Sequence, residues 1–170
     1  MGFFGRKIKN NQFGFTLIEL LVSVFIIALI SGLTLAGHFA GQRVYKVSQA
    51  AQELTSNLRR AQTLALAGNT QNSAKGFGIY VDAQNFYLLF YNTGASRLYQ
   101  PPESQPIERI YLAGGLKFSQ TGSSAFFTPP DPTTFFNGSP GANGEFIIQS
   151  SDNAIQKTVK VEGNGRIEIN

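Results

Sequence analysis

Residues 6–36 read RKIKNNQFGFTLIELLVSVFIIALISGLTLA. Three cations, Arg6, Lys7 and Lys9, come first. An almost wholly apolar run, Phe15–Ala40, follows at once, and its one charge is Glu19. A bilayer core needs about 20 apolar residues as a helix, and Phe15–Leu35 supplies that length. The cations before the run predict a single pass with the N-terminus in the cytoplasm and the remainder across the membrane. A core helix is the rival reading. Nothing else in the chain is large enough to bury so apolar a helix on all sides.

The helical pattern continues beyond the apolar run. Val44, Val47, Ala51, Leu54, Leu58, Ala61 and Ala65 recur at spacings of three and four, one stripe on an amphipathic helix. Gly68-Asn69 is a natural stop. No proline interrupts residues 15–67, so one helix of roughly 80 Å is expected at 1.5 Å per residue. Gly32, Gly37 and Gly41 are its weak points, each costing about 1 kcal/mol relative to alanine.

Residues 75–170 are rich in Gly, Pro, Asn, Ser and aromatics and read as strands. The segments 76–82 and 85–92 form a hairpin, with Phe77, Ile79 and Val81 on one face. Further strands are expected over 108–112, 115–119, 144–149, 156–162 and 166–170. Gly163-Asn164-Gly165 joins the last two as a hairpin. Residues 129–143, with Pro129, Pro130, Pro132 and Pro140, read as a long loop. The expected fold is α+β: a long N-terminal helix whose distal half packs on one antiparallel sheet of roughly five to seven strands. The expected divisions are 1–14 as a leader, 15–40 as a transmembrane and filament-core helix, and 41–170 as a globular domain.

Composition narrows the function. The chain has no cysteine and one histidine, His38, so disulfides, thiolate metal sites and multi-histidine sites are excluded. The formal charge is +4 from 14 basic and 10 acidic side chains; three of the basic ones precede residue 15, leaving 11 against 10. A nearly neutral remainder argues against nucleic acid. The basic residues Arg59, Arg60, Lys157, Lys160 and Arg166 read as ordinary solvated groups. No catalytic motif occurs, and a Ser-His-Asp triad would need a histidine beside its serine. Asp82, Asp131 and Asp152 sit at turn signals. Asp131, Asn137, Asn143, Asp152 and Asn153 lack the close carboxylates calcium wants. No metal, no cofactor and no enzymatic activity are expected. Phe126, Phe127, Phe135 and Phe136 flank the proline-rich loop, and either form a contact surface or fold back over the sheet.

The order of basic leader, small residue and apolar helix is the reverse of a secretory signal peptide, which is cleaved after its apolar region at an A-x-A-like site. Thr34-Leu35-Ala36 weakly offers such a site. The junction Gly14-Phe15-Thr16-Leu17-Ile18-Glu19-Leu20-Leu21 instead resembles the processing motif of type IV prepilins and type II secretion pseudopilins. That resemblance implies cleavage after Gly14 by a prepilin peptidase, N-methylation of Phe15, and an assembly role for Glu19. It implies partners in like subunits, the peptidase and an inner-membrane assembly platform, and a path from the inner membrane to an extracytoplasmic filament. Residues 54–69 and 157–169 look like parts of GspH/FimT-like minor pseudopilins. Two features depart from many type IV pilins: no proline lies in the membrane half of the helix, and no disulfide can close the C-terminal region. An alternative within the resemblance is a membrane-anchored binding module for DNA uptake or adhesion.

Overall fold

The computed structural model describes residues 14–67, 73–129 and 133–170, with the side chains of 33–40 left aside. The chain divides into two units, one ending at Ala40 and one running from Gly41 to Asn170.

Helix α1 (Leu17–Leu66) is continuous through Gly32, Gly37 and Gly41. The expected stop at Gly68-Asn69 lies outside the described residues. In the first unit every described side chain is exposed, Leu17, Ile18, Leu20, Leu21, Phe25 and Ile27 among them. No helix among the described residues is long and apolar enough to cross a membrane. The expected span over 15–40 includes side chains outside those described.

In the second unit ten strands follow the helix: β1 (Gly76–Ala83), β2 (Phe86–Asn92), β3 (Ser104–Tyr111), β4 (Leu116–Phe118), β5 (Ser124–Thr128), β6 (Thr133–Phe136), β7 (Ser139–Pro140), β8 (Gly144–Ser150), β9 (Gln156–Val161) and β10 (Ile167–Ile169). They form two antiparallel sheets in place of the one expected, ordered β3-β2-β1-β5-β6-β7 and β10-β9-β8-β4. Strand β3 starts at Ser104, four residues before the expected 108.

The expected loop over 129–143 is also corrected. Thr133–Phe136 pairs with β5 on one side and β7 on the other. Asn137 and Gly138 form the turn between β6 and β7, both with positive φ, 47° and 80°. That is the mirror-image turn that matches strand twist. Prolines stay off the ladder interior: Pro140 lies on the edge strand β7, where a missing N–H is tolerated.

The distal half of α1 is the common core of both sheets. Val47, Ala51, Leu54, Leu58, Ala61 and Ala65 are wholly buried. They meet Phe77, Ile79, Val81, Tyr87, Leu89 and Phe127 of the larger sheet, and Phe118, Phe146, Ile148, Val159 and Val161 of the smaller. Val44 leaves the predicted stripe and is 51% exposed. Polar contacts fix the helix on each flank. Arg60 pairs with Glu108 of β3 at 2.7 Å. Asn57 Nδ2 donates to the Tyr87 hydroxyl at 2.8 Å, and Gln62 Nε2 donates to the Gly165 carbonyl at 2.6 Å. Arg43 Nη1 meets Asp152 at 2.7 Å.

The other face of the larger sheet is covered by its own connection, residues 93–103. Phe90 stacks on Phe126 at 5.7 Å and meets Tyr99 edge-on at 5.1 Å. Two glycines make room for this layer. A Cβ at Gly76 would lie 2.5 Å from the Phe126 ring, and one at Gly78 would lie 2.5 Å from the Ala125 carbonyl oxygen. This is why β2 is apolar on both faces.

Burial pushes the Tyr87 phenol well above its ordinary value. A raised folded-state pKa gives stability that is full below the unfolded value, about 10, and is lost as pH rises beyond it. A fragment beginning at Gly41 retains this whole core. We expect it to fold on its own, with native near-ultraviolet circular dichroism. In urea melts above pH 10 it should lose stability, and Tyr87→Phe should lessen that loss while costing about 1 kcal/mol at neutral pH through its Asn57 bond. An identical alkaline profile for Tyr87→Phe would contradict the assignment.

Candidate functional site

The site predicted at the N-terminal junction lies at the start of α1. Gly14 and Phe15 precede the helix in exposed chain, and Phe15 is 76% exposed. A Cβ at Gly14 would meet nothing within 4 Å. The fold thus makes no demand for glycine there.

Thr16 is the N-cap. Its Oγ1 accepts the Glu19 N–H at 3.3 Å, and its carbonyl accepts the Leu20 N–H at 3.2 Å. The first turn of a helix has four N–H groups with no partner in the helix, and a threonine hydroxyl satisfies one of them. Glu19 stands at the third helical position, so Thr16-Leu17-Ile18-Glu19 has the capping-box pattern. A carboxylate there also faces the positive end of the helix dipole. The Glu19 carbonyl accepts the Ser23 hydroxyl at 2.8 Å. Gly14, Phe15 and Glu19 are thus brought to one end of one helix. Thr16 belongs with them and was not singled out from sequence, although the T-x-x-E spacing before an apolar run is its signature.

Other candidates have local tasks. Asn137 Oδ1 accepts the Ser124 N–H at 2.8 Å, and Asn143 Oδ1 accepts the Gly163 N–H at 2.9 Å. Asp152 accepts from the Ser150 hydroxyl and the Ala154 N–H and faces Arg43. Those hydrogen bonds, led by that from Ser150, hold its carboxyl below the usual range. Asn153 has a φ of 59° within the β8–β9 turn. Asp131 and the side chain of His38 lie outside those described. Among the described residues no three His, Cys, Asp or Glu are grouped. Phe126 and Phe127 are buried, and Phe135 and Phe136 are half-buried. They belong to strands β5 and β6 of the larger sheet itself and form no exposed patch. Arg60 and Arg166 each pair with an acid, Glu108 and Glu168. Lys160 lies in register between Glu145 and Glu168. The basic side chains are interleaved with acidic ones, where phosphate binding needs a continuous basic face.

Residues 9–35 match the family model described as the prokaryotic N-terminal methylation motif. No curated protein and no solved structure matches the chain. The match covers the junction, the N-cap and Glu19, and gives the chain a type IV pilin-like signal.

Replacing Thr16 by valine removes the cap and keeps the shape. We expect the Glu19 amide to exchange about 2- to 30-fold faster in detergent, the effect of losing about 0.5–2 kcal/mol of capping. Exchange at the Leu58 amide should not change. Unchanged exchange at Glu19 would show that the hydroxyl does not cap the helix.

Proposed function

We propose that the chain is a non-enzymatic structural subunit of a type IV pilus or a type II secretion pseudopilus. The observation that carries this is the surface of α1 directly after the matched junction. Leu17, Ile18, Leu20, Leu21, Val22, Val24, Phe25, Ile26 and Ile27 are all exposed. Only Glu19 and Ser23 interrupt the run, so this stretch of helix is apolar nearly all round, and its described side chains are exposed. A helix of that kind is buried by lipid or by other chains. The motif supplies the order of events. The helix first rests in the inner membrane, a prepilin peptidase cuts after Gly14, Phe15 is methylated, and helices of like subunits then associate on an assembly platform. A minor, GspH/FimT-like role is the finer form of this reading, supported only by the similarities at residues 54–69 and 157–169.

Glu19 has two successive tasks in this reading. In the single chain it sits in the first turn, near the headgroups, where a carboxylate is tolerated. In the filament the new amine on Phe15 enters apolar surroundings. An unpaired buried charge costs about 3–5 kcal/mol. Glu19 is the one carboxylate of the apolar run, in the same chain or a neighbouring one.

Glu19→Ala is expected to leave insertion and cleavage intact and to lower the amount of subunit in sheared filaments at least tenfold. Comparing processed subunit in membranes with subunit in filaments measures this. Normal incorporation of Glu19→Ala would remove the assembly role. Gly14→Leu is expected to block cleavage without changing the circular dichroism of the chain, since Gly14 touches nothing.

A further inference from the structure

Strand β10 ends the smaller sheet, and its free edge opens onto α1. Between them lies a groove of about 520 Å3, lined by Gln52, Thr55, Ser56 and Arg59 on one helix face and by Ile167, Glu168 and Ile169. Its volume is in the range of peptide- and ligand-sized sites.

The register of β10 determines what its edge offers. The Asn170 and Thr158 backbones exchange both hydrogen bonds, and the Glu162 N–H donates to the Arg166 carbonyl. Antiparallel ladders alternate, so Glu168 bonds Lys160 in the same way, while Ile167 and Ile169 point their N–H and C=O groups away from β9. Both residues line the groove. On β4, the other edge of the smaller sheet, the Phe118 N–H is already taken by the Gln84 carbonyl, and the edges of the larger sheet are blunted. Strand β3 carries Pro106 and β7 carries Pro140, residues that cannot donate to an added strand. Strand β10 carries none.

The groove also has a sign. Glu168 pairs with Arg166. Arg43 and Arg60 pair with Asp152 and Glu108. Arg59 has no acidic partner among the described residues and stands in the groove wall.

We propose that this groove receives an extended, acidic segment of a partner chain as an added strand. The segment hydrogen-bonds the backbone of Ile167 and Ile169, as in strand-addition recognition, and sets a carboxylate against Arg59. The proposal does not depend on the filament reading, because it uses only the edge of β10 and the distal part of α1.

The test uses the full chain in detergent. A flexible Gly/Ser tether of eight residues, spanning about 15 Å, carries a Thr-Val-Asp-Val-Thr segment beyond Asn170, and amide exchange is read at Ile167 and Ile169. Tethering supplies a roughly millimolar effective concentration. Both amides should be protected in this chain and not in one carrying the tether alone. Lysine in place of the tethered aspartate should reduce the protection by up to about fivefold, the range of an exposed ion pair. Ile169→Pro removes one outward donor and leaves the β9 ladder whole, so protection at Ile167 should fall. Exchange unchanged by the tethered segment would overturn strand addition. Protection as strong with lysine would overturn the acidic preference, and protection at Ile167 unaffected by Ile169→Pro would place the segment elsewhere.

Discussion

Burial of one helix stripe holds the described domain together. Val47, Ala51, Leu54, Leu58, Ala61 and Ala65 are fully removed from solvent, and both sheets pack on them. Neither sheet is built to bury its inner face on the other alone. The larger supplies Phe77, Ile79, Val81 and Phe127, and the smaller Phe146, Ile148, Val159 and Val161. The stripe narrows to alanine at 51, 61 and 65, which lets the strands approach the helix closely. Removing a buried leucine from such a site costs about 2–5 kcal/mol, a large share of a typical domain's stability.

The same helix has a second character before Gly41. From Leu17 to Gly32 its described residues are mostly apolar, and all are exposed. The first turn is nevertheless well made, with Thr16 capping Glu19. A capped, rigid helix start with an all-round apolar surface is suited to burial by something other than its own domain. That division of labour, one part for folding and one for association, underlies the proposed filament role.

The helix, its distal stripe and the junction at Gly14 were legible in the sequence because each rests on a local pattern. The stripe failed only at Val44, one turn before the sheets begin to cover the helix. The β region was less legible. Strands β1, β2, β8 and β9 lie close to where their runs of apolar and β-forming residues place them, but residues 129–143 do not form the loop their prolines suggest. Four prolines there suggest a loop, whereas Asn137-Gly138, a hairpin signal in its own right, joins Thr133–Phe136 to Ser139–Pro140. The split into two sheets depends on which strands pair at a distance, which local periodicity does not carry. Thr16 carries no charge, and only its three-residue spacing from Glu19 marks it as a cap in the sequence. The groove beside β10 arises from ladder register and from the ion pairs that leave Arg59 over, neither of which is visible in one dimension.

The central claim is that the chain is matured at the Gly14–Phe15 junction and keeps its apolar helix. The most direct test is mass spectrometry of the N-terminal peptide of the chain purified from membranes of cells that contain a prepilin peptidase. The account predicts a chain beginning at Phe15 and bearing one added methyl group on its amine. A chain beginning after Ala36, without the apolar helix, would contradict it and make the protein a secreted one.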